Sequence, residues 1–358
     1  MRITLKETNL FERLGDENYE QIVYCQDRDS GLKAIVAIHD STLGPGTGGC
    51  RMYPYASETE ALEDVLRLSK GMTYKASISG LNLGGAKAVI IGDPRTVKTE
   101  ALLKRFGRFV EGLGGRYITA KDVGITGPDL QIIQTQTKHI LGIEGVANSS
   151  GDPSPVTAWG VYNGMKAAVK KAFGSDSLQG RTIAVQGLGY VSYTLVEYLT
   201  KEGAKVIAAD IDRTREQLVQ SKFGVSLVPV DEILGTKCDV FSPNAMGGAI
   251  NAKTIPQLQC KVVAGAANNQ LATDEDGFEL MRRGILYAPD YAINAGGLVN
   301  IYHELGGYNK ERAYDYVAGI YRTIENILDR SEKEKLPPHR VADLLAEERI
   351  AAAKQKKI

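Results

Sequence analysis

Two lysines and one aspartate lie in sequence surroundings that favour proton-transfer chemistry. Lys87 stands at the head of a strongly apolar run that follows a Gly-Gly turn, and Lys75 ends an apolar helical stripe. Asp122 follows a short apolar run and precedes a glycine. Burial disfavours the charged form of a lysine, so Lys87 is a candidate proton-transfer group, and a carboxylate at a strand end is a candidate ligand or base. Each also has a structural alternative, a lysine that reaches water or an aspartate that caps the next turn.

A second set of residues matches a dinucleotide-binding turn. The apolar run 183–186 leads into Gly187-Leu188-Gly189-Tyr190-Val191-Ser192, and an apolar helical pattern follows. In this G-x-G-x-x-S sequence the first glycine permits a tight turn, the second lets the backbone approach a pyrophosphate, and the small third residue lets helix and strand pack. The pyrophosphate would then lie at the positive N-terminus of the helix.

The next strand of such a unit should end in an acid that accepts the ribose hydroxyls. Asp210 ends the run 205–209, and 210 − 189 gives 21 residues after Gly189, close to the expected spacing of about 20. Its carboxylate would repel a 2′-phosphate, so the sequence favours NAD over NADP, although Arg213 could meet a phosphate. The structural alternative is a turn in which the glycines serve geometry alone.

These residues require a two-domain α/β framework. The length of 358 residues fits two domains, and the small, polar, Pro-rich segment 147–155 is a plausible boundary between them. We predict an N-terminal α/β substrate-binding and oligomerisation domain over 1–147, joined by a C-terminal helix at about 335–358, and a Rossmann dinucleotide-binding domain over 148–334. The predicted strands are 22–25, 32–38, 88–91, 182–186, 205–209, 240–241, 261–264 and 285–287. Ser57 and Glu60 predict a capping box that opens a helix.

Composition excludes several other classes of protein. The 43 basic and 43 acidic residues balance, so charge gives no case for a nucleic-acid or membrane partner. The start, Met1–Glu7, has no apolar segment of the kind found in signal peptides, and no run approaches the ~20 apolar residues of a membrane span. Four scattered cysteines without metal-ligand spacing predict buried, reduced thiols and no metal site. We therefore expect a cytoplasmic protein.

Longer motifs occur in a fixed order along the chain. They are G-G-C-R-M, L-R-L-S-K-G-M-T-Y-K, L-N-L-G-G-A-K, Y-I-T-A-K-D-V-G, G-A-A-N-N-Q-L and Y-A-P-D-Y-A-I-N-A-G-G-L-V-N. This series resembles the glutamate/leucine/phenylalanine/valine dehydrogenase family, the leucine type first and the phenylalanine type second. The resemblance covers the chain after about residue 18.

The resemblance implies NAD-dependent, reversible oxidative deamination of an apolar L-amino acid such as leucine, valine or isoleucine, giving a 2-oxo acid and ammonia. Lys75 matches the lysine that binds the substrate carboxylate, Lys87 matches the catalytic lysine, and Asp122 matches the acid that exchanges protons with amine and water. The resemblance implies that hydride leaves Cα for the nicotinamide and that Lys87 and Asp122 activate the water that attacks the resulting iminium. The resemblance also implies a site in the cleft between the domains and a homo-oligomer.

Further binding residues follow from the same resemblance. The substrate-side positions are Thr47, Gly48, Gly49, Lys75, Ala120, Asn269, Asn294, Leu298 and Ile301. The cofactor-side positions are Gly187, Leu188, Gly189, Tyr190, Val191, Asp210, Arg213, Thr157, Asn244, Ala245, Ala266 and Asn268. Four residues depart from the usual family pattern, namely Thr47, Lys121, Tyr190 and Asn244. Of these, Lys121 could lower the pKa of the neighbouring Asp122.

Three alternative functions stay open. An aromatic substrate is favoured by Leu298, which is typical of the phenylalanine type, whereas Ala120 is typical of the leucine type. A 2-hydroxy-acid dehydrogenase would need a histidine–acid pair, and none of His39, His139, His303 and His339 lies in a comparable motif. A non-catalytic NAD-binding regulator is disfavoured by the complete set of lysines and aspartate.

Overall fold

The computed structural model describes residues 10–357, which form two compact units. Unit 1 runs to Gly151 and also includes the chain from Arg349 onward, and unit 2 is Asp152–Glu348. Both units are α/β, as predicted. The segment Met1–Glu7, expected to lack a signal peptide, lies outside the described residues.

Unit 1 is built on a five-stranded mixed sheet. Its strands are β1 (Gln21–Asp27), β2 (Leu32–Asp40), β3 (Gly46–Tyr53), β4 (Gly84–Ile91) and β5 (Tyr117–Lys121). Its helices are α1 (Leu10–Asp16), α2 (Glu58–Ile78), α3 (Glu100–Gly112) and α4 (Gly127–Gln134). The strand order is β1-β2-β4-β3-β5, with β3 parallel to both of its neighbours. The strand that carries Lys87 and the strand that leads to Asp122 therefore flank β3.

The sequence patterns explain most of these elements. β2 is buried along nearly its whole length, which agrees with its continuous apolar run. The sequence did not predict the glycine-rich strand β3, because glycine weakens a strand. Hydrogen bonding to β4 on one side and to β5 on the other holds β3 in the sheet. At the start of α2, Ser57 Oγ accepts the Glu60 N–H at 3.1 Å as predicted. The Glu60 carboxylate accepts the N–H of Ala56 rather than that of Ser57, so the predicted capping box is only half formed.

Unit 2 holds a six-stranded parallel sheet. Its strands are β6 (Thr182–Gln186), β7 (Lys205–Ala209), β8 (Ser226–Leu227), β9 (Val240–Pro243), β10 (Val262–Val263) and β11 (Leu286–Tyr287). Its helices are α5 (Ser154–Phe173), α6 (Tyr190–Lys201), α7 (Arg213–Phe223), α8 (Asp274–Arg282), α9 (Asp290–Ile293), α10 (Gly296–Tyr302), α11 (Lys310–Ala318) and α12 (Ile320–Glu334), followed by α13 (Pro338–Lys357), whose residues from Arg349 belong to unit 1.

The strand order of unit 2 defines where a ligand should bind. The order β11-β10-β9-β6-β7-β8 is doubly wound, with the chain reversing direction across the sheet on either side of β6. In open parallel sheets ligands bind at this switch point, outside the carboxyl ends of the strands. The predicted Rossmann arrangement is therefore confirmed, and the loops after β6, β7, β9 and β10 are the ones to examine.

Two further expectations concern cysteines and membranes. Cys25, Cys50 and Cys260 are buried free thiols, whereas Cys238 is partly exposed, so the prediction of buried thiols holds for three of the four.

Among the helices of residues 10–357, none has both the length and the apolar character that a bilayer crossing requires.

Candidate active site

Asp122 lies beside two cations in unit 1. Its Oδ2 atom is 2.8 Å from Lys87 Nζ and 3.3 Å from Arg51 Nε. The sheet explains this meeting, because Lys87 lies on β4, Arg51 on the adjacent β3, and Asp122 directly after β5. The sequence pointed to Lys87 and Asp122, and the structure brings both together. It missed Arg51, for which an arginine within a buried strand was the available signal.

The cluster is largely shielded from water, which strengthens its electrostatic interactions. Lys87 is 7% exposed, and the side chains of Arg51 and Asp122 are 22% and 18% exposed. Burial acts to raise the pKa of Asp122. The charges of Lys87 and Arg51 outweigh that effect and hold the pKa of Asp122 below its usual value. Asp122 is therefore a carboxylate at neutral pH.

Lys121, which the sequence suggested as the cation acting on Asp122, faces another partner. Its Nζ lies 3.5 Å from Glu144 Oε1. The second cation on Asp122, after Lys87, is Arg51.

Gly49 permits the close approach of β3 and β5 at the cluster. A Cβ at this position would lie 2.4 Å from the Lys121 carbonyl oxygen and 2.9 Å from Asp122 Cβ. Real Cβ atoms essentially never approach other atoms so closely, and the 2.4 Å contact is with backbone, which cannot rotate away. Any larger residue here would therefore move the strand that positions Asp122.

Arg51 is held from its other side by a second carboxylate. Its Nη1 lies 2.8 Å from Asp64 Oδ2, which also accepts the Tyr55 hydroxyl at 2.7 Å. Arg67 bonds the other oxygen of Asp64 at 2.7 Å. These residues line a cavity of about 500 Å³ that is not lined by Lys87 or Asp122.

The other substrate-side residues predicted in unit 1 lie near the same strands. Thr47 and Gly49 pair with Ile118 and Ala120 in the β3–β5 register, and Gly48 lies between them. Thr47 is fully buried, and its hydroxyl donates to the Pro45 carbonyl at 3.3 Å. Lys75 lies in the last turn of α2 and is half-buried.

In unit 2 the glycine turn follows β6, as predicted. Gly187 has a φ of +90°, which strongly favours glycine, and a Cβ there would lie 2.9 Å from the Cβ of Ala245. The Leu188 N–H donates to Asp210 Oδ2 at 2.5 Å, so the acid after β7 lies against the turn. A Cβ on Gly189 would meet only Arg215 Nη1, at 3.9 Å. The space beside Gly189 is thus open to a ligand.

Amide side chains connect the loops after β9 and β10. Asn244 Oδ1 accepts the Ala266 N–H at 2.6 Å. Asn294 Nδ2 donates to the Ala266 carbonyl at 3.0 Å and to Asn268 Oδ1 at 2.9 Å. The Oδ1 atom of Asn294 is buried without a hydrogen-bond partner among the described residues. A buried acceptor in this state indicates a place for a ligand donor.

The remaining predicted residues of unit 2 are more dispersed. Tyr190 and Val191 begin α6, Thr157 lies in α5, Arg213 begins α7, Asn269 follows β10, and Leu298 and Ile301 lie in α10. Tyr190 is 79% exposed, and Asn269 is also exposed. The guanidinium within 4 Å of a Cβ on Gly189 belongs to Arg215, a residue that the sequence did not single out, rather than to Arg213.

The fold and these residues define a two-unit α/β dehydrogenase. Two family models match, "Glu/Leu/Phe/Val dehydrogenase, dimerisation domain" over residues 19–139 and "Glutamate/Leucine/Phenylalanine/Valine dehydrogenase" over residues 209–357. The chain belongs to the Glu/Leu/Phe/Val dehydrogenase family, and it is an amino-acid dehydrogenase.

Individual relatives rank the leucine type above the aromatic types, as the sequence predicted. Leucine dehydrogenase of Bacillus cereus is 55% identical over 345 residues, covering 96% of this chain and 94% of the relative. Phenylalanine dehydrogenase of Bacillus thermotolerans is 46% identical over 353 residues, covering 97% and 92%. The crystal structure of L-tryptophan dehydrogenase from Nostoc punctiforme superposes with a TM-score of 0.87 at 42% identity, covering 96% of this chain and 99% of that one.

Proposed function

We propose that this chain catalyses NAD-dependent, reversible oxidative deamination of an apolar L-amino acid, with leucine, valine and isoleucine preferred. In the forward direction, amino acid, NAD⁺ and water give the 2-oxo acid, ammonium, NADH and a proton. The observation that carries the proposal is the buried 2.8 Å contact between Lys87 and Asp122. Such a pair suits a reaction in which water must be deprotonated and an amine protonated in turn.

NAD fits the residues at the switch point of unit 2. The open side of Gly189 leaves room for a pyrophosphate at the N-terminus of α6, and each oxygen of Asp210 retains a lone pair for a ribose hydroxyl. The buried, unpartnered Oδ1 of Asn294 is an acceptor for an amide or amine N–H. When bound, NAD⁺ supplies the hydride acceptor for the substrate Cα.

In unit 1, Lys75, Asp122 and Lys87 each bind a charged group or transfer a proton. Lys75 binds the substrate carboxylate through its ammonium group. Asp122, held as a carboxylate, accepts a proton from the water or the substrate amine, and Lys87 donates or accepts the next one. Because the pair is buried, bulk water does not compete for these protons.

The substrate class follows from the unit 1 residues that the family resemblance assigns to the substrate side chain. Thr47 and Ala120 are uncharged, so a carboxylate on the substrate side chain would be buried unpaired beside them at a cost of several kcal/mol. Glutamate should therefore be a poor substrate. The greater identity to leucine dehydrogenase than to the aromatic enzymes supports branched-chain substrates.

The proposal is tested by following NADH formation with a panel of leucine, valine, isoleucine, phenylalanine, tryptophan and glutamate. We expect the branched-chain amino acids to have the highest kcat/KM, with phenylalanine slower but detectable. If phenylalanine or tryptophan leads by about tenfold, a difference of ~1.4 kcal/mol, the branched-chain assignment is wrong. Absence of NADH formation with every amino acid would contradict the proposed reaction itself.

We also propose that the protein is a cytoplasmic homo-oligomer. The match of residues 19–139 to a family model described as a dimerisation domain supports self-association. Analytical ultracentrifugation tests this, since a single species of about 38.8 kDa would be the monomer and would contradict it.

A further inference from the structure

Arg51 contacts Asp122, yet the roles assigned from the family motifs do not include it. We propose that Arg51 is a positioning residue for the reaction, a permanent cation that keeps Asp122 aligned and ionised while Lys87 gains and loses protons. This inference rests on the proposed function, because it assigns Arg51 a task only if Asp122 and Lys87 carry out the proton transfers.

The guanidinium of Arg51 lies between two carboxylates. Its Nη1 donates a hydrogen bond to Asp64 Oδ2 at 2.8 Å, whereas its Nε forms an ion pair with Asp122 Oδ2 at 3.3 Å without hydrogen-bond geometry. The guanidinium is planar and rigid, so the hydrogen bond to Asp64 keeps its positive charge beside Asp122. Asp64 is itself held by Tyr55 and Arg67, so it is a fixed anchor. Asp122 Oδ2 is therefore held between Arg51 and Lys87.

The groups around Asp122 show why a second cation is needed to keep its carboxylate ionised. The ionisable groups that face it are Lys87 from β4, Arg51 and Cys50 from β3, and Tyr117 from β5. Burial raises the pKa of Cys50 and of Tyr117 well above their usual values, so both are neutral. Of these four groups, Lys87 and Arg51 are the ones that carry charge towards Asp122.

Of these two cations, only one can stay charged through a cycle of proton transfers. Lys87 changes its charge if it acts as acid and base, and during that interval burial would favour protonation of Asp122. Arginine does not lose its proton in proteins. Arg51 thus preserves the carboxylate of Asp122 at the moment when Lys87 is neutral.

The test is the pH dependence of kcat/KM in the full-length protein carrying Arg51→Gln. Loss of an opposite charge within about 4–6 Å should move the acid limb of the profile upward by about 1–3 pH units. Arg51→Lys keeps the charge but cannot reach both carboxylates in the same way, so its acid limb should stay near that of the wild type while kcat falls.

A matched control removes a cation elsewhere on unit 1. Arg95 pairs with Asp93 at 2.8 Å and has a side chain that is 84% exposed. Arg95→Gln should leave both the acid limb and kcat unchanged. Thermal unfolding and NADH binding, measured for all three variants, show whether each is folded.

The outcomes separate the two proposals. An unmoved acid limb in folded Arg51→Gln, or equal shifts in the Gln and Lys variants, would overturn the role of Arg51. If the Arg51→Gln variant does not fold, the Arg51→Lys variant is used instead. A reduced kcat with an unchanged acid limb of the pH profile supports the role of Arg51, and a wild-type kcat overturns it. Lys87→Ala and Asp122→Asn are assayed in parallel. Wild-type turnover in either refutes the proposed function, whereas their inactivity together with an unmoved limb in Arg51→Gln refutes only the role of Arg51.

Discussion

The candidate site residues of unit 1 depend on ionised side chains, whereas those of unit 2 are mostly backbone groups and neutral amides, with Asp210 as an acid beside the glycine turn. In unit 1, Lys87 and Arg51 converge on Asp122 from neighbouring strands. In unit 2, the Gly187 turn, the Leu188 N–H and the amide of Asn294 form the equivalent surface. Under the proposed function, charge is therefore concentrated where protons would move, and open space is concentrated where a cofactor would lie. Substitutions that change a charge or add a methyl group should therefore affect kcat when they are made in unit 1 and cofactor binding when they are made in unit 2.

The largest difference is expected from the same substitution made at one glycine in each region. Gly49→Ala would force its Cβ against the Lys121 carbonyl and Asp122, displacing the aspartate from Lys87. Because misplacement of a reacting group by about 1 Å can cost about 100-fold, we expect kcat to fall by about that factor, with NADH binding unchanged.

Gly189→Ala is the matched change in unit 2. Its Cβ meets no protein atom closer than Arg215 Nη1 at 3.9 Å, so the fold should tolerate it. The methyl group would occupy the space proposed for the pyrophosphate, and the Kd for NADH should rise by roughly tenfold, about 1.4 kcal/mol. Fluorescence titration with NADH and steady-state kinetics measure both effects. If Gly49→Ala weakens NADH binding while Gly189→Ala lowers kcat at saturating NAD, the assignment of the two regions is reversed.

A smaller effect is expected at Asp210, the acid that accepts the Leu188 N–H. Its carboxylate should make NAD preferred over NADP. Asp210→Asn removes the charge, so the ratio of kcat/KM for NADP to that for NAD should rise by about tenfold, because like-charge contacts cost more than ~1.4 kcal/mol. Equal use of both cofactors by the wild type would indicate that a nearby cation, Arg213 or Arg215, governs the ribose end instead.

The smallest effect concerns the fit of the substrate side chain. Ala120 lies on β5 beside Gly49, and its methyl group should limit the size of a ring. Ala120→Gly should raise kcat/KM for phenylalanine relative to leucine, within the 1–3 kcal/mol that a single carbon in a pocket typically contributes. An unchanged ratio would show that Ala120 does not set the size limit.

The sequence predicted the two regions unequally well. Unit 2 follows local rules, since a strand, a glycine turn, a helix and an acid about 20 residues later occur in one short stretch. Every strand of that unit except β8 was predicted. The strand β3 was missed because its glycines remove the apolar pattern by which strands are identified.

The missed residues share one cause, which is that their roles depend on contacts between distant segments. Arg51 acquires its role from the pairing of β3 with β4 and β5, and Arg215 from the approach of α7 to the Gly189 turn. Lys121 neighbours Asp122 in sequence, yet its side chain faces Glu144. Lys121 is the last residue of β5 and Asp122 follows the strand, where it contacts Lys87 and Arg51, so proximity in sequence was misleading here.

The central claim is that Lys87 and Asp122 carry out chemistry and do not hold the cofactor. Lys87→Ala tests it most directly, with kcat for leucine and the Kd for NADH measured on the same preparation. The account predicts a loss of kcat of about 10²–10⁴-fold, the usual contribution of a positioned acid or base, with the Kd for NADH unchanged. Near-wild-type kcat, or a Kd that rises in step with the loss of activity, would contradict it.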